Sequence, residues 1–287
     1  MNRRIYFLSV RAVSLLLITM LIGGVSVTGA VGAQKQLTLD EVRRRGVLVV
    51  GMNAAYAPFE YIEKGGTIVG FDVDLIRILV DKLGVKARLV DTEWAGVIPA
   101  LYTGKFDVII SAMTITPQRA KRVNFSIPYV EATPYLLVKA SSPYEKIEDL
   151  IGRVVAVQLG GAGETQVRGW DQELKKKHGK GFKDILTLGN VPDIWLAVDV
   201  GRADAAIGTL VDLQVFMKKN PGKYRAIPGL GERAFFGIAT RKQDIELKQY
   251  FDRQIRDLKR SGQLAALQMK WFGFVTAVPD ELPAFAK

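Results

Sequence analysis

Short apolar runs alternate with amphipathic stretches along most of the chain. Residues 47–50 are apolar throughout and stop at Gly51, the pattern of a strand buried on both faces. Residues 72–83 change period. Ile76, Leu79, Val80 and Leu83 share one helical face, and Gly84 supplies a C-terminal stop. Residues 85–90 alternate as a strand does, and 107–110, 154–157, 185–188 and 203–207 read as further strands. Helices are expected at 95–102, 164–177, 192–200 and 211–219, the third bracketed by Pro192 and Gly201. A longer amphipathic helix, 244–260, carries Leu247, Phe251, Ile255 and Leu258 on one stripe. Strands alternating with helices predict an α/β fold with helices on the faces of mostly parallel sheets.

The residues with the most distinctive chemistry fall at one kind of place on this map. Asn53 and Tyr56 follow the first strand, and Trp94 follows the second. Ser111, Ala112 and Thr114 follow the third, with Arg119 a few residues on. The Gly160-Gly161-Ala162-Gly163 turn follows the strand near 155, and Thr209 follows the one near 205. All are strand C-termini, the edge at which open α/β sheets bind ligands. Five such loops together predict a binding cleft.

Composition narrows the choice of partner. The formal net charge is +11, but the basic residues are spread along the chain. The densest run, Lys175 to Lys180, ends a predicted helix, where the dipole favours cations, so no nucleic-acid site is expected. The single histidine, His178, lies inside that run and is a poor base or metal ligand. The chain has no cysteine, which excludes a thiol nucleophile, a disulfide framework and a cysteine-linked lipid anchor. No cofactor or metal is expected. Arg3, Arg4 and Arg11 precede an apolar stretch, and Val31-Gly32-Ala33 fits a signal-peptidase site. The apolar core, Leu15 to Ile22, is short for a span of about 20 residues. Residues 1–33 are therefore expected to be a cleaved signal peptide, giving a periplasmic protein that begins at Gln34.

Longer motifs then carry a family resemblance. Gly70-Phe71-Asp72-Val73-Asp74-Leu75, Ile98-Pro99-Ala100-Leu101 and Gly104-Lys105-Phe106-Asp107 resemble segments of the polar amino-acid-binding proteins of bacterial ABC importers. So do residues 107–119, Phe125-Ser126-Ile127-Pro128-Tyr129, and Gly201-Arg202-Ala203-Asp204-Ala205-Ala206. The resemblance covers about residues 38–275. It implies two α/β lobes joined by two crossings: residues 34–133 plus 235–287 as lobe one, and 134–234 as lobe two. Its ligand would be an amino acid or related small carboxylate, its partner a membrane ABC permease, and its state monomeric.

The resemblance also implies roles. Arg119 would clamp the ligand carboxylate with its planar fork of donors. Thr114 would add a hydroxyl, the backbone near Ala112 would accept from an ammonium group, and Ser111 is open between ligand contact and turn formation. Tyr56 and Trp94 would sandwich the ligand side chain, while Phe59 and Tyr61 belong to the core. Gly161 and Ala162 would present helix N-terminal N–H groups to an anion. Three departures matter: Asn53 where relatives often have Asp, Ala162 where they have Thr, and Thr209 where many have an Asp that pairs with the α-ammonium group. These make lysine and arginine less expected as ligands and a modified or amine-free acid a serious option, unless Asp212, one turn on, compensates. The alternative is an enzyme resembling periplasmic cyclohexadienyl dehydratases, with Glu164 as general acid.

Overall fold

The computed structural model describes residues 36–229 and 232–287; the expected signal peptide lies outside the described residues. The first lobe opens with α1 (Leu39–Arg45), capped by the Thr38 hydroxyl and closed by Gly46. It continues through β1 (Val47–Met52), α2 (Phe71–Leu83), β2 (Lys86–Asp91), α3 (Val97–Tyr102), β3 (Val108–Ile109), α4 (Pro117–Ala120) and β4 (Val123–Phe125). The chain then crosses to the second lobe: β5 (Pro134–Lys139), β6 (Val154–Gln158), α5 (Ala162–His178), β7 (Asp184–Leu188), α6 (Val191–Asp199), β8 (Ala205–Thr209), α7 (Leu210–Lys219) and β9 (Tyr224–Pro228). It returns to the first lobe for β10 (Ala239–Arg241), α8 (Ile245–Arg260) and α9 (Gln263–Phe272).

The two five-stranded sheets repeat one plan, β2-β1-β3-β10-β4 and β7-β6-β8-β5-β9. In each, three strands run parallel and one strand runs against its two neighbours. That reversed strand is β10 in the first sheet and β5 in the second, in both cases the first strand after a crossing. The parallel strands point their C-terminal ends at the space between the lobes. A chain entering from that space must run the other way. The crossings themselves, Val130–Glu131 and Phe235–Phe236, pair antiparallel.

Both faces of both sheets are covered, which explains the continuous apolar strands. One face of the first sheet packs Leu48, Val50, Val108 and Phe251; the other packs Val49, Ile98, Phe106, Ile109 and Phe125. The second sheet does the same with Val155, Val157 and Trp170 on one side and Ala156, Ala206 and Trp195 on the other. Phe59 is fully buried as expected, whereas Tyr61 is only partly buried, set edge-on to Trp271. Gly179 ends α5 in the left-handed conformation and leaves His178 exposed.

Candidate ligand-binding cleft

The strand ends bring their loops to a single cavity of about 80 Å³ between the lobes. A water-sized group needs roughly 10–15 Å³ on that measure, so the space takes on the order of half a dozen of them, the scale of an amino acid. All ten residues singled out from the sequence line it: Asn53, Tyr56, Trp94, Ser111, Ala112, Thr114, Arg119, Gly161, Ala162 and Thr209. Glu60, Gln158, Gln166, Trp195 and Phe236 line it too and were not anticipated. Gln158 ends β6, so the strand-end rule could have found it. Trp195 reads as a core residue of an amphipathic helix, and Glu60 sits between Phe59 and Tyr61 in what reads as core. Nothing local marks either.

The lobes are shut on this cavity. Tyr56 Oη donates to Asp212 Oδ2 at 2.9 Å, and Gln158 Nε2 donates to Asn53 Oδ1 at 3.3 Å. The Gly160 carbonyl accepts from Trp94 Nε1 at 3.1 Å and from the Arg119 guanidinium at 3.2 Å. Each bond joins one lobe to the other.

Arg119 follows the Thr116 cap of α4, whose hydroxyl accepts from the Arg119 N–H. Its guanidinium lies over Trp94, 5.1 Å from the ring centroid, and donates to the Thr114 carbonyl at 3.0 Å. Its protein acceptors are carbonyls, not carboxylates, and burial pulls its pKa down to about 10. A packed cation with no counter-ion among the described residues is poised for an anion. Facing it, Gly161 caps α5, and Ala162 and Gly163 form its first turn, where N–H groups lack intrahelical acceptors.

The opposite charge comes from two acids. Glu60 is fully buried and accepts from the Ser111 hydroxyl at 2.6 Å, so Ser111 holds an acid in place rather than forming a turn alone. Asp212 is the second. The Thr209 hydroxyl and N–H both donate to its Oδ1, at 2.8 and 2.6 Å, in a capping box that starts α7. Burial raises the Asp212 pKa to about 6 against the pull of those donors. The neutral Thr209 therefore does not leave this end of the cleft without an acid. The acid stands one turn further along, and Thr209 orients it. Burial and the neighbouring Asp212 push the Tyr56 phenol well above its ordinary range, so Tyr56 remains a donor.

Glu164, the general acid of the alternative reading, lies outside the cavity lining. Its carboxylate accepts from the Gly160 N–H at 2.9 Å and pairs with Arg168 at 2.8 Å. No group of His, Cys, Asp and Glu among the described residues is arranged to hold a metal ion, and no described helix is long and apolar enough to cross a membrane.

Residues 48–274 match the bacterial extracellular solute-binding proteins, family 3. The chain belongs to that family. It is 34% identical over 227 residues to the arginine-binding extracellular protein ArtP of Bacillus subtilis, covering 78% of this chain and 86% of ArtP. It is 31% identical over 237 residues to the L-cystine-binding protein TcyJ of Escherichia coli, covering 82% and 86%. Among solved structures, the ancestral amino acid-binding protein AncCDT-1, a precursor of cyclohexadienyl dehydratase, superposes with a TM-score of 0.71 at 37% identity, covering 82% of this chain and 99% of that one. These relatives are binding proteins by name, and the fold shared with AncCDT-1 is the two-lobed α/β fold described above.

Proposed function

We propose that this protein is a periplasmic, monomeric, non-enzymatic receptor that captures a basic amino acid and presents it to a membrane ABC permease. Export would remove residues 1–33. The observation that carries the ligand class is the charge pattern of the cleft: one arginine without an acidic partner among the described residues, Arg119, and two buried carboxyl groups, Glu60 and Asp212, around one cavity between the lobes. A basic amino acid carries the complementary set, one carboxylate and two cations. Arg119 would take the carboxylate, Asp212 the α-ammonium group, and Glu60 the side-chain cation, with Tyr56 and Trp94 along the aliphatic stem. Each ligand charge would meet an opposite one, which a buried charge requires. The arginine-binding relative supports this reading, while the cystine-binding one shows that ligands differ within the family. The three departures thus lose their force against arginine and lysine, because Asp212 and Glu60 supply the missing acids.

An enzyme reading finds less support. A general acid must reach its substrate, and Glu164 is turned into a pair with Arg168 outside the cavity.

Titration calorimetry with L-arginine and L-citrulline tests the proposal. They differ mainly in side-chain charge. L-arginine should bind at least tenfold more tightly, about 1.4 kcal/mol. Asp212→Asn should weaken L-arginine by about 2 kcal/mol, as for a lost hydrogen bond to a charged group. Equal affinity for the two amino acids would remove the basic side chain from the proposal.

A further inference from the structure

The first-lobe side of the cleft holds more acid than its hydrogen bonds account for. Glu60 and Asp72 are both fully buried, and they are held by adjacent donors: Ser111 donates to Glu60 and the next residue, Ala112, to Asp72, while the Asp72 N–H donates to the Phe59 carbonyl beside Glu60. Donors reach one oxygen of each. Ser111 donates to Glu60 Oε1, while the Ala112 N–H at 2.6 Å and Tyr129 Oη at 3.1 Å donate to Asp72 Oδ2. The other two oxygens, Glu60 Oε2 and Asp72 Oδ1, have no hydrogen-bond partner among the described residues. Two ionised carboxylates in contact repel strongly away from water, and an orphaned buried acceptor is costly in itself. One proton shared between the groups removes both difficulties.

Two backbone positions build the pair. Gly70 has φ 142°, and a Cβ there would stand 2.1 Å from the Phe59 carbonyl oxygen. That close approach lets the Asp72 N–H donate to Phe59 at 2.9 Å, fastening the start of α2 beside the Glu60–Ile62 strand. Ala112 has φ 42°, uncommon for a residue with a Cβ, and its N–H is given to Asp72. The charged surroundings reinforce the effect. Asp91 adds a further negative charge near Glu60. Tyr56 and Tyr129 are phenols pushed to high pKa, Asp212 stands across the cleft, and Arg119 lines the same cavity but donates elsewhere. Burial raises Asp72 to about 6, and burial together with Asp72 raises Glu60 well above the ordinary carboxyl range.

We infer that Glu60 and Asp72 hold one proton between them in the unliganded cleft, and that a ligand's cationic group docking against Glu60 expels it. The inference rests on the basic-amino-acid reading and adds its linkage to pH. The Glu60 carboxyl loses its proton to water or a buffer base. The resulting carboxylate pairs with the incoming ammonium or guanidinium, and no covalent bond of the ligand changes. Binding that releases one proton strengthens about tenfold per pH unit while the pair remains protonated in the empty protein. Capture is therefore favoured toward neutral pH and weakened by acid. A neutral side chain leaves the proton where it is.

The test uses the full chain with carboxyl-labelled Glu and Asp. Carbon NMR of unliganded protein at pH 7 should show one protonated carboxyl that Glu60→Gln removes. Calorimetry with L-arginine at pH 7, in two buffers of different ionisation enthalpy, should report about one proton released, and none with L-citrulline. Affinity for L-arginine should rise about tenfold from pH 6 to pH 7. Should Glu60→Gln fail to fold, Asp72→Asn serves instead, and the rise in L-arginine affinity should move to lower pH, because Glu60 then loses its proton more readily without a second carboxyl beside it. Two ionised carboxyls in the empty protein, or L-arginine binding without proton release, would overturn the inference and leave the functional reading intact. Failure of L-arginine, L-lysine and L-ornithine to bind at all would overturn both.

Discussion

The two walls of the cleft do different work with similar scaffolds. Each is the C-terminal edge of a five-stranded sheet with a single reversed strand. The first-lobe wall carries Tyr56, Glu60, Trp94 and Arg119, and its polar groups are mutually braced: Asn53 N–H to Ser111, Ser111 to Glu60, Arg119 to Thr114. The second-lobe wall is lighter. It offers the Gly160 carbonyl, the first turn of α5, an apolar side from Ile194, Trp195 and Ile207, and one acid held by its own helix cap. The difference between the walls sets an order of events. A braced wall can hold a ligand before closure, whereas a wall whose Gly160 carbonyl, Gln158 and Asp212 bond to the other lobe adds its contacts by closing, as in hinge closure generally.

This contrast can be broken at its strongest point first. Arg119→Ala removes the cation of the braced wall, and affinity for L-arginine by calorimetry should fall by about 3 kcal/mol, the range for truncated buried charge pairs. The melting temperature of the empty protein should barely move, since the fold's ion pairs lie elsewhere. An unchanged affinity would mean that the first wall does not anchor the carboxylate. Tyr56→Phe sharpens the comparison instead. It keeps the aromatic face and deletes only the hydrogen bond to Asp212 across the lobes. A loss of about 1 kcal/mol is expected, expressed mainly in a faster dissociation rate by stopped flow, because the bond exists only when the lobes are shut. A slower association rate with unaltered dissociation would place Tyr56 in initial capture. The smallest effect belongs to Glu164→Gln. Its carboxylate is engaged outside the cavity, so L-arginine affinity should change by less than about 0.5 kcal/mol. The native protein should also form no phenylpyruvate from prephenate in a coupled absorbance assay. Turnover that disappears in Glu164→Gln would restore the enzyme reading.

The same contrast governs what was legible in the sequence. The parallel strands announce themselves as apolar runs because helices cover both faces, and α2, α5, α6, α7 and α8 show their period and caps. The reversed strands do not. β10 is three residues long and β5 begins at a proline, and each exists only because the chain re-enters a sheet after a crossing. α1 buries just Leu39 and Val42, too few positions to show a period. At the cleft, residues of the long motif around Arg119 were readable because chemistry and strand-end position coincide. Glu60 was hidden because its neighbour Phe59 is a core residue and its own burial follows from contact with α2.

By itself the sequence determined the α/β architecture, the edge of the sheets at which the cleft lies, and the cation that lines it, Arg119. These depend on periodicity and on loops that directly follow strands, which are local properties of the chain. Only the tertiary structure decided where the acids stand. Thr209 looks like a lost charge until its capping box is seen to hold Asp212 against Tyr56 of the other lobe, and nothing local in the sequence shows that Gly70 brings Asp72 beside Glu60. The sign and protonation of a buried group are set by neighbours that are distant in the chain, and folding alone brings those neighbours together.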